Sequence, residues 1–215
     1  MQEVRIQEGG AVLAGDLHVP PGATGLVVFA HGSGSSRFSP RNRQVAAALH
    51  GAGLGTLLMD LLTAEEERLD TRTAELRFDI TLLGRRTTGA VEQMASREPL
   101  LPLGCFGAST GAAAALVAAG ARPELVRAVV SRGGRPDLAG PVLGQVRAPT
   151  LLIVGSRDRE VLALNEQAKS RMTCEVELQL VEGATHLFEE PGALERVAFL
   201  AGQWFGRHLR AAPSN

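Results

Sequence analysis

Ser109 lies in Gly107-Ala108-Ser109-Thr110-Gly111, a G-x-S-x-G pentapeptide between an apolar run over residues 101–106 and an alanine-rich run over 112–119. Strand, sharp turn and helix in that order are what a nucleophile elbow needs. Glycine at 107 and 111 leaves room where chain and helix nearly touch. The hydroxyl of Ser109 would project at a helix N-terminus, whose amides favour negative charge. A serine hydroxyl is a poor nucleophile at neutral pH, so a histidine must accept its proton. The histidine then needs a carboxylate to fix its tautomer and stabilise the imidazolium. The tetrahedral oxyanion needs donors already in place. A chain with 25 glycines produces such a pentapeptide by chance, so the test is where the other parts fall.

Their placement depends on the elements that carry them. Residues 4–7 and 11–19 flank Gly9-Gly10 and predict a β-hairpin. Residues 26–30 form a continuous apolar run of strand length. A polar loop follows, His31-Gly32-Ser33-Gly34-Ser35-Ser36, then a helix over about 40–50 and a strand over 56–62. The acidic stretch 65–70 reads as an exposed loop. A long amphipathic helix over about 73–97 turns Leu76, Ile80, Leu83, Val91 and Met94 inward, with Gly84 and Gly89 as kink points. Further strands are expected over 126–131, 150–154 and 175–181, and helices over about 162–171 and 193–209. Strands alternating with helices specify an α/β fold with a mainly parallel sheet, of about eight strands with helices on both faces, in one domain.

In an open parallel sheet, ligands bind beyond the carboxyl ends of the strands. Ser109 follows the strand over 101–106, Asp158 follows 150–154, and His186 follows 175–181. All three fall at one sheet edge. For the acid, Asp158 competes with Asp137, which follows the strand over 126–131. His186 has the alternative of being an ordinary loop histidine, and Glu160 that of a helix N-terminal charge. One oxyanion donor is expected from the amide of Thr110. The other is expected from Ser33, with Gly34 as the neighbouring alternative. His31 in that loop is expected to brace it by hydrogen bonding; His18, His50 and His208 read as solvated or capping residues.

Arg132 and Arg135 also follow a strand near the expected mouth. Guanidinium groups match carboxylate or phosphate oxygens bidentately, so both are candidate substrate contacts. Their alternative is a surface arginine, solvated or paired with Asp137, and the same holds for Arg37, Arg41 and Arg43. The interval 132–149 is too short for a cap domain, so the site should be open and suited to small acyl groups. If a lid exists, residues 63–73 are the segment to supply it.

The 215 residues suit one domain; they are 45% hydrophobic and 21% charged, with a formal net charge of -1. That balance argues against nucleic acid or an acidic membrane surface as the main partner. There is no Tyr, and Trp204 is the one Trp, so stacking platforms for single-stranded nucleic acid are missing. Cys105 and Cys174 make no disulfide framework and no metal-ligand spacing. The N-terminus lacks a signal-peptide core, and no uncharged apolar run reaches the ~20 residues of a membrane helix. A cytoplasmic protein, monomeric or homodimeric, is the expectation. The terminal stretch 211–215 reads as a tail.

The chain resembles the small dienelactone-hydrolase-like branch of the α/β-hydrolase superfamily over nearly its full length. The resemblance is carried by His31-Gly32-Ser33-Gly34, Gly107-Ala108-Ser109-Thr110-Gly111, Gly155-Ser156-Arg157-Asp158 and Gly183-Ala184-Thr185-His186-Leu187-Phe188. The order Ser, Asp, His is that of the superfamily. In the founding enzymes the elbow holds cysteine, whereas here Ser109 stands there, which puts dienelactone itself in question. Some bacterial proteins similar to this one carry an attached phosphoribosyltransferase domain, and these 215 residues contain no such segment. Serine and triad together imply hydrolysis of a small ester or thioester through an acyl-enzyme, with no metal or organic cofactor. The alternatives are an acyltransferase using the same residues and a noncatalytic interaction module of the same fold.

Overall fold

In a computed structural model describing residues 1–209, an eight-stranded sheet runs in the order β1-β2-β4-β3-β5-β6-β7-β8. β1 (Gln2–Glu8) and β2 (Ala11–His18) form the expected hairpin, and β2 pairs antiparallel with β4 (Gly55–Met59). From β4 the sheet is parallel through β3 (Leu26–Ala30), β5 (Leu103–Ala108), β6 (Val126–Arg132), β7 (Thr150–Gly155) and β8 (Val176–Val181). Every residue of β3, β4, β5 and β7 is buried. Strands covered on both faces read as continuous apolar runs rather than alternations, and this is why those runs are so plain in the sequence.

Helices cover both faces. On one, α1 (Pro40–Gly51) and α6 (Ala193–His208) pack through Val45, Leu49, Val197, Ala201, Trp204 and Phe205. On the other, α3 (Ile80–Arg97) and α4 (Thr110–Ala121) pack through Leu83, Val91, Met94 and the alanines of α4, while Ala168 of α5 (Arg159–Lys169) joins the same core. Residues 136–145 form two short 3₁₀ turns broken at Gly140, in place of any cap domain. The tail over 211–215 lies outside the described residues. No helix among the described residues is long and apolar enough to cross a membrane.

The segment after β4 departs from the sequence expectation. Residues 65–70 are helical, within α2 (Ala64–Thr73), and the long helix expected from 73 begins at Ile80 instead. Two local signals account for this. Thr63 and Glu66 make a reciprocal capping box, Thr63 Oγ1 accepting from Glu66 N at 3.3 Å and Glu66 Oε2 from Thr63 N at 2.8 Å. Such boxes satisfy amides that a new helix leaves open. At the other end Ala74 adopts φ 56°, and Asp79 caps α3 through Leu82 N at 2.9 Å. The periodic pattern from 73 to 97 therefore spans two helices and a 3₁₀ turn (Leu76–Phe78).

Candidate active site

The elbow is built as its spacing requires. Ser109 has φ 51° and ψ -121°, a left-handed-side conformation that costs a non-glycine residue energy and recurs at functional sites. Three backbone bonds hold it there: Ser109 N–H donates to Arg132 O at 3.2 Å, and Ser109 O accepts from Ala112 N at 3.1 Å and Arg135 N at 3.0 Å. A Cβ at Gly107 would stand 2.4 Å from Ala112 Cα, and one at Gly111 would stand 2.2 Å from Ala30 O. Neither position tolerates a side chain. Cys105, four residues earlier on β5, is fully buried, and burial pushes its thiol up to about 12, so it stays protonated and inert.

His186 and Asp158 meet directly. Asp158 follows β7 at the N-cap position of α5 without a capping bond from its side chain, and its Oδ2 accepts from His186 Nδ1 at 2.6 Å. That leaves Nε2 as the free ring nitrogen. The loop bearing His186 is fixed on both sides. Glu190 Oε1 accepts from Thr185 N at 3.0 Å and Thr185 Oγ1 at 2.6 Å, and Phe188 sits buried at φ 55°. Ser109 and His186 line one cavity of about 240 Å³, together with Gly32, Ser33, Arg41, Asn42 and Arg132. No hydrogen bond joins Ser109 Oγ to His186 here; contacts of this kind often tighten only when substrate is bound. Asp137, the competing acid, is engaged elsewhere, accepting from Arg135 Nε at 2.9 Å and Nη2 at 2.8 Å.

The loop after β3 closes the opposite side. A Cβ at Gly32 would lie 3.2 Å from Ser109 Cβ, which fixes how near this loop comes. His31 is buried and braces it, its Nε2 accepting from Leu61 N at 3.0 Å and its Nδ1 donating to Gly32 O at 2.9 Å. Burial holds the His31 pKa below its usual value, so the ring is neutral, as an accepting Nε2 requires. Ser33 lines the Ser109 cavity, whereas Gly34 lines only a second cavity of about 230 Å³ beneath α2. Thr110 occupies the first position of α4, where an amide has no carbonyl within its own helix. Ser33 thus shares a cavity with Ser109, and Thr110 follows Ser109 directly in the chain.

The two arginines singled out from sequence part company. Arg135 is tied to Asp137 and is absent from the Ser109 cavity wall. Arg132 is 7% exposed and forms part of that wall. Arg41 and Asn42, in the first turn of α1, complete it and were not singled out as a pair. Ser39-Pro40 was the available signal: a capping serine with proline at the first helical position aims that turn at the preceding loop.

The wall beneath α2 is held by ion pairs. Arg86, 3% exposed, donates to both Glu66 oxygens at 2.6 and 2.7 Å and to Leu61 O at 2.6 Å. Asp70, 2% exposed, accepts from Arg77 Nε at 2.6 Å and from the amides of Leu76 and Arg77. Arg37 pairs with Asp60.

No family model matches the chain. A solved dienelactone hydrolase from Anabaena variabilis is 57% identical, covering 97% of this chain and 99% of its own, with a TM-score of 0.95. Est1E from Butyrivibrio proteoclasticus shares the fold at 14% identity and a TM-score of 0.79, over 94% of this chain and 97% of its own. Two curated Mycobacterium tuberculosis proteins, from different strains and provisionally named as phosphoribosyl transferases, are 57% identical over 97% of this chain. The chain spans 46% of their length.

Proposed function

The chain belongs to the dienelactone-hydrolase-like branch of the α/β-hydrolase superfamily, and from that premise we propose that it is a serine hydrolase of small esters or thioesters. The observation that carries this reading is the 2.6 Å bond from His186 to Asp158 beside a serine held in a strained turn. Ser109 Oγ attacks the acyl carbon while His186 Nε2 takes its proton. The C–O or C–S bond to the leaving group then breaks as the imidazolium returns the proton to it. Water, deprotonated by the same nitrogen, releases the acid and restores Ser109. Asp158 holds the ring in the tautomer that leaves Nε2 free and stabilises the imidazolium. The amides of Ser33 and Thr110 stabilise the oxyanion, which exists only along the reaction path and so favours the transition state over bound substrate.

The cavity of about 240 Å³ at Ser109 lies below the range typical of drug-sized ligand sites. Short acyl chains fit it, and each further CH₂ left in water forgoes about 0.8 kcal/mol. Activity on p-nitrophenyl esters is expected to peak from acetate to butyrate and to fall at octanoate. The transferase name of the mycobacterial relatives describes proteins of which this chain spans 46%; the acyl chemistry proposed here concerns the spanned portion. Rapid mixing with p-nitrophenyl butyrate tests the reading: release of p-nitrophenol that depends on Ser109 supports it. No release above the rate in buffer would refute it.

A further inference from the structure

Asn165 is wholly buried within α5, where asparagine is a poor helix former and an unbonded amide costs free energy. Its Nδ2 is spent twice. One N–H donates to Val161 O at 2.8 Å, one turn back in the same helix, and the other to Gly134 O at 2.9 Å, in the loop after β6. Its Oδ1 is buried with no hydrogen-bond partner. An apolar side chain would fill the position without that cost, so the residue type is explained by what the second bond reaches.

It reaches a short turn, 132–135, that touches the whole site. Arg132 O accepts from Ser109 N at 3.2 Å and Arg135 N donates to Ser109 O at 3.0 Å, so the turn grips the elbow through both backbone groups of one residue. A Cβ at Gly133 would stand 3.1 Å from His186 O and 3.7 Å from His186 Cε1, which places the turn against the imidazole. Gly134 is pressed onto the elbow helix, since a Cβ there would meet Ala112 Cβ at 2.5 Å. The third member arrives through α5. Asp158 stands at its N-cap, its carbonyl already accepting from Leu162 N at 2.9 Å, and Asn165 follows seven positions later on the same side of the helix. The acid that orients His186 and the amide that holds the turn therefore move as one rod.

We propose that Asn165 is a positioning residue: by tying α5 to the turn 132–135, it sets where Ser109 stands relative to the His186–Asp158 pair. This rests on the serine-hydrolase reading above. Misplacing reacting groups by about 1 Å costs on the order of 10²-fold in rate, and losing one of several ties to the turn should cost a fraction of that. The effect belongs to kcat, because Asn165 is not part of the Ser109 cavity wall.

The experiment separates position from stability. Asn165→Ser keeps a bond to Val161 O, since serine bonds the carbonyl four residues back, and gives up Gly134 O. Asn165→Leu keeps the volume and gives up both bonds. With p-nitrophenyl butyrate, kcat is expected to fall about tenfold in each while KM stays within about twofold of the wild type. Arg171→Gln is the control: Arg171 Nη2 also ties this side of the molecule to the loop after β6, at Gly140 O and 3.2 Å, without reaching the turn 132–135. Its kcat should remain that of the wild type. A second readout needs no turnover, the downfield proton resonance of His186 Nδ1–H, assigned by its loss in Asp158→Asn. It should move in Asn165→Ser and stay in place in Arg171→Gln. A folded Asn165→Ser with wild-type kcat and an unmoved proton would overturn the proposal. So would a raised KM at unchanged kcat, an equal loss of kcat in Arg171→Gln, or an Asn165→Ser chain that does not fold, which would make the amide a packing element only. A wild type that hydrolyses nothing sinks the hydrolase reading instead, and the proton then decides the tie alone: displaced in Asn165→Ser it stands, unmoved it falls.

Discussion

The two walls flanking the loop that bears Ser33 treat charge in opposite ways. Under α2, Arg37, Arg77 and Arg86 each meet a carboxylate. Across the loop, Arg132 is buried too, more deeply than Arg37 or Arg77, and meets none. Ser109 and His186 lie on the Arg132 side. Matched pairs fix a segment in place; they leave nothing for a ligand to complete. The unmatched side is where chemistry can be added, and the same contrast separates the two acids. Asp137 is spent on Arg135 at the surface, while Asp158 orients the imidazole.

That division of labour is open to direct attack, most severely at the acid. Asp158→Asn is expected to lower kcat on the order of 10⁴-fold by imposing the wrong histidine tautomer, measured by steady-state hydrolysis of p-nitrophenyl butyrate. Asp137→Asn should change it less than about threefold, since that carboxylate is held by Arg135 and neither residue lines the Ser109 cavity. Reversed results would move the acid to the end of β6 and dissolve the comparison.

The matched wall should answer in stability rather than in rate. Glu66→Ala leaves the buried Arg86 guanidinium without its carboxylate, and is expected to cost about 2 kcal/mol. That figure is discounted from the range for fully buried pairs because Glu66 is partly exposed. Urea denaturation measures it, and an unchanged midpoint would show that α2 does not depend on the pair. Acid should have a related effect. The hydrogen bonds from Arg86 hold the Glu66 carboxyl below its usual range, so its contribution is present near neutrality and is lost as pH falls through that depressed value.

A smaller effect is expected from His31. Its folded pKa lies below the unfolded value of about 6.5. Below that pH the unfolded chain binds the extra proton first, so stability should fall with pH. His50 and His208 are shifted the same way by burial. A His31→Asn variant should therefore show a shallower slope between pH 7 and 5, not a flat one. An unaltered slope would mean that His31 is not the neutral brace between Leu61 and Gly32.

Much of this arrangement is local enough to read from the chain. The elbow, the order of Ser109, Asp158 and His186, and the strand ends that carry them are set by turn residues and apolar runs, which act over a few positions. The loop over 31–36 was equally legible as a loop beside Ser109, because glycine spacing and its place after β3 are sequence properties. The stretch 63–79 was misread for a reason that is also local. Its capping box at Thr63 and Glu66 was visible, but an acidic run on the surface resembles a loop when no apolar face accompanies it, and α2 buries only Asp70. The fates of Arg132 and Arg135 were not legible at all. They sit three residues apart with the same chemistry, and which one finds a carboxylate depends on the turn at Gly133-Gly134 and on Asn42, from another element.

The central claim is that Ser109 is the nucleophile of an acyl-enzyme, and covalent trapping tests it most directly. Wild-type protein treated with a fluorophosphonate should gain the mass of one adduct, mapped by peptide fragmentation to Ser109, while Ser109→Ala gains none and keeps the wild-type circular dichroism. An unmodified wild type, or an adduct on any other residue with Ser109 untouched, would contradict the account.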